Sequence, residues 1–206
     1  MNPRLHSPGW YRLVGAISES EMQEAVSADA VSLPMISKWQ VKDFAMLCQL
    51  DRWELQTSDA SALDRLQQMT GRMFDELLEQ TPVSALGYNF NYERDIGHPD
   101  AGHKLAALLA TPQIGLKPDC LVSGHVLLRR SVDGRSVSVH IRVPDGQEAG
   151  SVVSVSNNYE YPFGSATLMK FYIGQVIADR FSRDRQDAES QTSQVMQSIR
   201  AASERT

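Results

Sequence analysis

The chain has 206 residues, and its 20 basic and 25 acidic side chains give a formal charge of −5. Hydrophobic residues make up 42% of the sequence and charged residues 22%. These values exclude a wholly disordered chain, a collagen and a full-length coiled coil. The acidic balance also argues against bulk nucleic-acid binding, which usually shows as a basic excess.

Cysteine usage and hydropathy indicate the compartment. Cys48 and Cys120 are too few for a disulfide framework, and each lies in an apolar pattern typical of a small buried side chain. The longest apolar run, residues 105–110, is far shorter than a membrane span, and the first residues do not look like a secretory signal. We therefore expect a cytoplasmic protein with no membrane partner.

Two elements are predicted before residue 60. Residues 19–28 have the composition of a short helix, with Ser18 or Ser20 as the N-cap. Over residues 41–50 apolar side chains alternate with period two, and after a turn at 51–52 the alternation resumes in the opposite phase. That change of phase favours a tight hairpin or a bulge over one straight strand.

An amphipathic helix is predicted over residues 60–80, with one apolar stripe that includes Leu66, Met69 and Met73. Gly71 weakens this helix by about 1 kcal/mol against alanine, and Pro82 ends it. Residues 83–92 then read as a strand whose two faces both begin apolar. We expect the first half of this strand to be buried on both sides.

A three-stranded meander is predicted over residues 120–132, 135–143 and 151–161. Asp133-Gly134 is a strong two-residue hairpin signal, and it sets the register so that Leu128 lies opposite Val139. One face of the hairpin must then turn toward the core. Its members are Val126, Leu128, Val137, Val139, Ile141 and Val143.

The C-terminal region carries a helix at 165–181, and then a polar stretch at 182–194. Three opposite-charge pairs at i,i+4 predict that this stretch is a solvated helix: Arg180–Asp184, Arg183–Asp187 and Arg185–Glu189. Apolar residues then return at helical spacing as Val195, Met196 and Ile199, which we call the C-terminal stripe. It lies roughly 20–30 Å beyond the predicted end of the core, so we expect it to have no partner within its own subunit.

These elements predict an α+β fold in which a mostly antiparallel sheet packs on one or two long helices, with a helical C-terminal extension. We expect a single domain at 1–181 and a polar helical or disordered extension at 182–206. A sheet followed by a long terminal helix resembles the SecB-like chaperone folds in topology alone, and this resemblance transfers no residue roles.

A loop between strand and helix carries the residues that suggest metal chemistry. Two carboxylates and two imidazoles could hold a divalent metal or act in acid–base catalysis: Asp95, His98, Asp100 and His103. Their spacing matches no zinc signature, and the sequence favours a polar connecting loop over a metal site. We predict no cofactor, and a metal-dependent hydrolase or nuclease is an alternative centred on His98, Asp100 and His103.

Basic side chains share the outer face of the predicted hairpin, opposite to its core face. They are His125, Arg129, His140 and Arg142. Such a face could bind a phosphate or a nucleic-acid backbone. A solvated sheet face is the competing interpretation, because Leu127 and Ser138 interrupt the basic patch.

No catalytic motif is present, and the C-terminal stripe has no predicted partner in the domain. An apolar stripe that extends past its own core usually binds another chain. The sequence therefore favours a non-enzymatic interaction or assembly protein, such as a subunit, adaptor or chaperone-like binder in a bacterial or phage complex. Its partner would be another protein chain, in a homo-oligomer or a hetero-complex, that contacts the C-terminal helix and the sheet face.

Overall fold

The computed structural model describes residues 1–95, 125–142, 152–163 and 173–204, with the backbone alone for 125, 126 and 202–204. The chain divides into two compact units, Met1–Thr81 with Lys170–Ala178 and Pro82–Met169 with Asp179–Thr206. Each unit holds one four-stranded sheet in which every strand pair is antiparallel. The predicted α+β class, with antiparallel sheets and a long C-terminal helix, is confirmed.

The sheet of the first unit is a meander in chain order. Its strands are β1 (Val31–Ser32), β2 (Ile36–Gln40), β3 (Ala45–Gln49) and β4 (Trp53–Gln56). The pairing of β3 with β4 is the hairpin that the change of phase predicted. The predicted strand begins too early, because Val41 donates its N–H to the carbonyl of Phe44 in the turn between β2 and β3.

Three α-helices with adjoining 3-10 and π turns flank the sheet of the first unit. Helix α1 (Pro8–Leu13) follows a 3-10 turn, and α2 (Glu19–Ser27) begins in a capping box formed by Ser18 and Glu21. Helix α3 (Leu63–Arg72) continues as a π-helical turn over Met73–Leu77. The predicted helix at 60–80 is therefore present, with a 3-10 turn at its start and a π turn at its end.

Aromatic side chains form the core of the first unit. The ring of Tyr11 on α1 lies 4.9 Å from that of Trp39 on β2, and the ring of Trp53 on β4 lies 5.1 Å from that of Phe74. Edge-to-face pairs of this kind contribute beyond the area that they bury. The apolar faces of α1 and of the α3 segment thus close over one face of the sheet.

The last helix, α4 (Ile173–Glu204), contributes residues 173–178 to the first unit. There it crosses α3 at two glycines, since a Cβ on Gly71 would lie only 3.0 Å from the Cα of Gly174. The carboxylate of Asp75 accepts the N–H groups of Ile173 at 2.6 Å and Gly174 at 2.9 Å. Gly71 is therefore a point of close helix contact rather than a mere weakness in α3.

The sheet of the second unit has the strand order β5-β8-β7-β6. The strands are β5 (Ala85–Asp95), β6 (His125–Val132), β7 (Arg135–Arg142) and β8 (Val152–Pro162). Asp133 and Gly134 both have positive φ, as a type I′ turn requires. The predicted register is confirmed, with Leu128 opposite Val139 and His125 opposite Arg142.

Two expectations about the burial of this sheet are wrong. The start of β5 is not buried on both sides, because Ala85 and Gly87 are exposed on the face away from α4. Leu128 does lie on the face that α4 covers, yet 54% of its surface is exposed. The reason is its position on β6, which pairs only with β7 among the described strands and so lies at an edge.

The second part of α4 packs along the second sheet and corrects the expectation for the C-terminal stripe. Met196 is 8% and Ile199 1% exposed within the monomer, whereas Val195 is half-buried. The stripe therefore has an intramolecular partner. The helix runs antiparallel to β8, because Tyr161 of β8 bonds to Asp184 and Asn157 bonds to Thr192, further along the helix. The end of the helix therefore lies over the start of β8, where Val153 and Val155 are fully buried.

Candidate functional site

A buried polar layer joins α4 to the second sheet. Asp184 on α4 forms an ion pair with Arg135 on β7, and its other carboxylate oxygen accepts a hydrogen bond from the Tyr161 hydroxyl at 2.5 Å. Arg135 also donates to the Tyr161 hydroxyl at 3.1 Å, and its guanidinium lies over the Tyr159 ring. Asp184 and Arg135 are both buried, so each needs the other to offset the loss of water.

Asp187 extends this layer toward β6. Its carboxylate accepts hydrogen bonds from Tyr159 and Arg130, both at 3.0 Å, and from Gln191 at 2.7 Å. Burial alone would raise the pKa of Asp187, but these hydrogen bonds and the arginine charges together lower it below its ordinary value. Asp187 is thus held ionised between the helix and the sheet.

The polar layer positions α4, and its central pair, Arg135 and Asp184, is buried, whereas Arg130 and Asp187 at its margin are partly exposed. It comprises Arg130, Arg135, Tyr159, Tyr161, Asp184 and Asp187. The predicted pairs Arg180–Asp184 and Arg183–Asp187 do not form: each aspartate binds the sheet, and Arg183 pairs with Asp133 at 2.8 Å. Only Arg185–Glu189 is present as predicted. Because its central pair is buried, we assign the layer to helix placement and not to catalysis.

Sequence reasoning missed this layer because it treated 182–194 as a solvated segment. Asp184, Ala188 and Thr192 are buried on the sheet side of α4, and Thr192 accepts a hydrogen bond from the Asn157 amide at 3.1 Å. The helical spacing of these buried positions was the signal in the sequence that could have revealed the layer. Positions 177, 181, 184, 188, 192, 196 and 199 form one continuous helical stripe in which polar residues occupy the middle.

The structure brings the predicted basic residues onto one face of the second sheet, opposite to α4. Arg129 lies across from Ser138, and His140 lies between Ser138 and Arg142 along β7. Arg129 and Arg142 are exposed, and neither has an ion pair within the described part of the chain. His125 lies beside Arg142 in the register. Binding of phosphate or nucleic acid there stays a prediction.

The predicted metal residues fall mostly outside the described ranges. Asp95 is the last residue of β5, whereas His98, Asp100 and His103 lie outside the described residues. Within 1–95, 125–142, 152–163 and 173–204, no group of three histidine, cysteine or acidic side chains could hold a metal ion. The metal-dependent alternative stays a prediction.

The outer side of β6 has no partner strand among the described residues of the second unit. The type I′ turn closes with Val132 and Arg135 as a hydrogen-bonded pair, so the backbones of 126, 128, 130 and 132 face β7. The backbone N–H and C=O groups of the intervening residues then face away from the sheet. They belong to His125, Leu127, Arg129 and Ser131, which together with the Leu128 side chain we call the β6 edge.

The two edges of this sheet differ in character. At the other edge the same alternation turns the backbones of Ala85, Gly87, Asn89 and Asn91 outward, and the bond from Phe163 N–H to the Ser84 carbonyl agrees with it. Those four residues are small or polar. The β6 edge instead exposes Leu127, at 41%, and Leu128, at 54%.

Helix α4 covers one edge and leaves the other open. On the covered side Phe181 packs on Tyr88 and Phe90 of β5, with ring centroids 5.2 and 5.4 Å apart. On the other side, Arg130 of β6 donates a hydrogen bond to Asp187 of the helix, and no other side-chain bond joins the described residues of β6 to α4. β6 thus places two exposed leucines beside strand backbone that has no partner among the described strands. Proteins usually avoid this combination unless the edge binds another chain.

No protein-family model matches this chain, and neither a curated protein nor a solved structure is similar enough to count as a match. Among the described residues, no helix combines the length and apolar character needed to cross a bilayer.

Proposed function

We propose that this protein is a non-enzymatic interaction or assembly module that binds another polypeptide by strand addition at the β6 edge. The observation that carries the proposal is the coincidence of outward backbone groups with the exposed side chains of Leu127 and Leu128. An added strand would satisfy the backbone groups and cover the two leucines at the same time. A cytoplasmic location remains part of the proposal, in keeping with the free, buried thiol of Cys48.

This proposal changes the interface that the sequence suggested. Met196 and Ile199 of the C-terminal stripe are buried under their own sheet, so they would need the helix to move before they met a partner. The β6 edge needs no such movement. Val195 is half-buried and is the member of the stripe that remains accessible.

A proline substitution tests the edge directly. In Leu127→Pro the lost N–H faces outward, so the ladder between β6 and β7 keeps its hydrogen bonds while the edge loses a donor. The measurement is a pull-down from source-cell extract with tagged wild-type and tagged variant chains. We expect the variant to lose every partner that the wild type binds by strand addition. Tagged and untagged copies of the chain itself count among those partners.

The matched control is Asn89→Pro, which makes the same change at the outward side of β5. It should retain the partners that Leu127→Pro loses, provided that both variants keep the far-ultraviolet circular dichroism of the wild type. Equal retention by wild type, Leu127→Pro and Asn89→Pro would show that the β6 edge binds nothing, and the proposal would be wrong.

A second candidate function rests on the outer face, where Arg129 and Arg142 are exposed and lack ion pairs among the described residues. We propose it as a phosphate or nucleic-acid binding surface. Binding of single-stranded RNA should then weaken with salt, and the double variant Arg129→Ala with Arg142→Ala should reduce it. Unchanged affinity in that variant would contradict this candidate.

A further inference from the structure

We propose that the occupant of the β6 edge is a second copy of this chain, paired antiparallel to the first about a two-fold axis at Leu128. This inference rests on the proposed function and names its partner. In such a dimer the two second-unit sheets continue into each other through β6. The order of side chains along the edge supports this pairing.

The register follows from which backbone groups are free. Only the odd-numbered residues 125–131 turn their N–H and C=O groups outward. A symmetric pairing must place these residues opposite one another, and pairing about Leu128 does so: Leu127 lies opposite Arg129 of the second copy, and His125 opposite Ser131. It also uses seven of the eight residues of β6, 125–131.

Side-chain chemistry favours this register over its neighbours. Pairing about Leu128 sets the two copies of Leu128, the more exposed of the two leucines, directly across from each other, each 54% exposed in the monomer. It also lays Leu127 against the aliphatic stem of Arg129. Pairing about Arg129 would oppose two guanidinium groups, which is destabilising, and pairing about Leu127 shortens the shared strand.

Helix α4 leaves room for the second copy. Its buried contacts are to Arg135 on β7 and to Tyr161 and Asn157 on β8, and Phe181 reaches β5. The helix therefore lies over the centre of its sheet and not over the β6 edge. Arg130, on the same side as Leu128, is already bound to Asp187, so this side brings no free cation to the axis.

Engineered cysteines test the axis. In an antiparallel pair without mutual hydrogen bonds the Cα atoms lie about 4.5 Å apart, within the range of a disulfide. Leu128→Cys should therefore cross-link two copies when treated with a mild thiol oxidant such as diamide. Leu127→Cys is the matched control, since its two copies would lie roughly 8–9 Å apart and should not cross-link.

The wild type, which carries Cys48 and Cys120, sets the background of this measurement. Light scattering should give a mass of two chains for the wild type and one for Leu127→Pro. A cross-link in Leu127→Cys but not in Leu128→Cys would overturn the proposed axis. A monomeric wild type would overturn the second copy as partner. The proposed function would survive either result if another protein still depended on Leu127 in the pull-down.

Discussion

The two sheets of this protein hold their helices in different ways. In the first unit, α1 and α3 close on the sheet through aromatic contacts such as those between Tyr11 and Trp39. In the second unit, α4 meets the sheet through a buried layer of ions and hydrogen bonds centred on Asp184, with apolar contacts only beyond it. Both arrangements bury one face of a four-stranded antiparallel sheet.

The difference lies in what each interface specifies. Apolar burial is non-directional, so an aromatic core tolerates small shifts between helix and sheet. A buried carboxylate is stabilised only when hydrogen-bond donors lie within reach of its oxygen atoms. A shift of α4 by one turn would therefore separate Asp184 from Arg135 and leave both buried charges unpaired. We infer that the polar layer sets the register of α4 while apolar contacts supply most of the stability.

The three tryptophans of the chain separate the two interfaces experimentally. Trp10, Trp39 and Trp53 all belong to the first unit, and the second unit has none. Tryptophan fluorescence therefore reports the first unit alone, whereas circular dichroism reports both. Urea unfolding followed by both signals can assign each loss of stability to one interface.

The largest effect is expected from Asp184→Ala. This change leaves the buried charge of Arg135 without its closest partner and with only the Asp187 carboxylate, 3.7 Å away, to balance it. Breaking a buried pair in this way should lower the free energy of unfolding by about 3–5 kcal/mol. Urea unfolding followed by circular dichroism measures it. The tryptophan signal should shift less than the circular dichroism signal if the layer belongs to the second unit alone.

Two variants serve as controls for this prediction. Arg183→Ala breaks the exposed ion pair with Asp133 and should change the free energy of unfolding by less than about 1 kcal/mol. Replacing both buried partners, as Asp184→Leu with Arg135→Met, should recover much of the loss. An Asp184→Ala variant as stable as the wild type would contradict the assigned role of the layer.

Acid should act on the first unit through His6. This histidine is buried beside the Tyr11 hydroxyl, and burial lowers its pKa from 6.5 to about 4. The unfolded chain therefore binds a proton that the folded unit excludes. Stability should be constant above pH 6.5 and fall by about 2–3 kcal/mol as the pH drops to 4. Urea unfolding at several pH values, followed by tryptophan fluorescence, measures this fall.

His6→Gln removes this titration and should flatten the profile between pH 6.5 and 4. Asp187 cannot imitate the effect, because its lowered pKa makes its contribution disappear only below its ordinary range near 3.8 and it lies in the second unit. If the His6→Gln profile fell as steeply as that of the wild type, another group would be responsible.

The smallest effect is expected from Gly71→Ala. Alanine gains about 1 kcal/mol in helix propensity, but its Cβ would lie 3.0 Å from the backbone of Gly174. Overpacking usually costs about 1–3 kcal/mol, so we expect a net loss of roughly 1–2 kcal/mol by urea unfolding. Gly9→Ala is the matched control: nothing lies within 4 Å of its Cβ, so it should not destabilise. A stabilised Gly71→Ala would show that the two helices separate easily.

Periodicity and turn chemistry predicted much of the secondary structure. The hairpin at Asp133-Gly134 came out in the predicted register because a type I′ turn admits only one. The cap of α2 at Ser18 was likewise readable from the local sequence. Strand β2 and helix α1 were not predicted, because their burial depends on contacts with distant segments. The ring of Tyr11 packs on that of Trp39, and the Tyr11 hydroxyl accepts a hydrogen bond from the indole N–H of Trp53.

The candidate site was less predictable. The outer-face position of Arg129, His140 and Arg142 follows from alternation along the hairpin. That β6 lies at an edge does not, because it depends on β5 pairing with β8, which is distant in sequence. The exposure of Leu128 is a consequence of this pairing order and not of the residue itself.

The sequence alone determined which residues share a face, where the strands turn, and the α+β class, because these follow from local backbone geometry and side-chain spacing. Only the tertiary structure decided what each face meets. The sequence predicted a surface carboxylate at Asp184, but in the fold this side chain binds Arg135 on β7 and Tyr161 on β8. The sequence predicted no intramolecular partner for Met196 and Ile199, but both are buried within the monomer. The free energy of a polar or apolar side chain depends on its neighbours in space, and spacing along the chain does not name those neighbours.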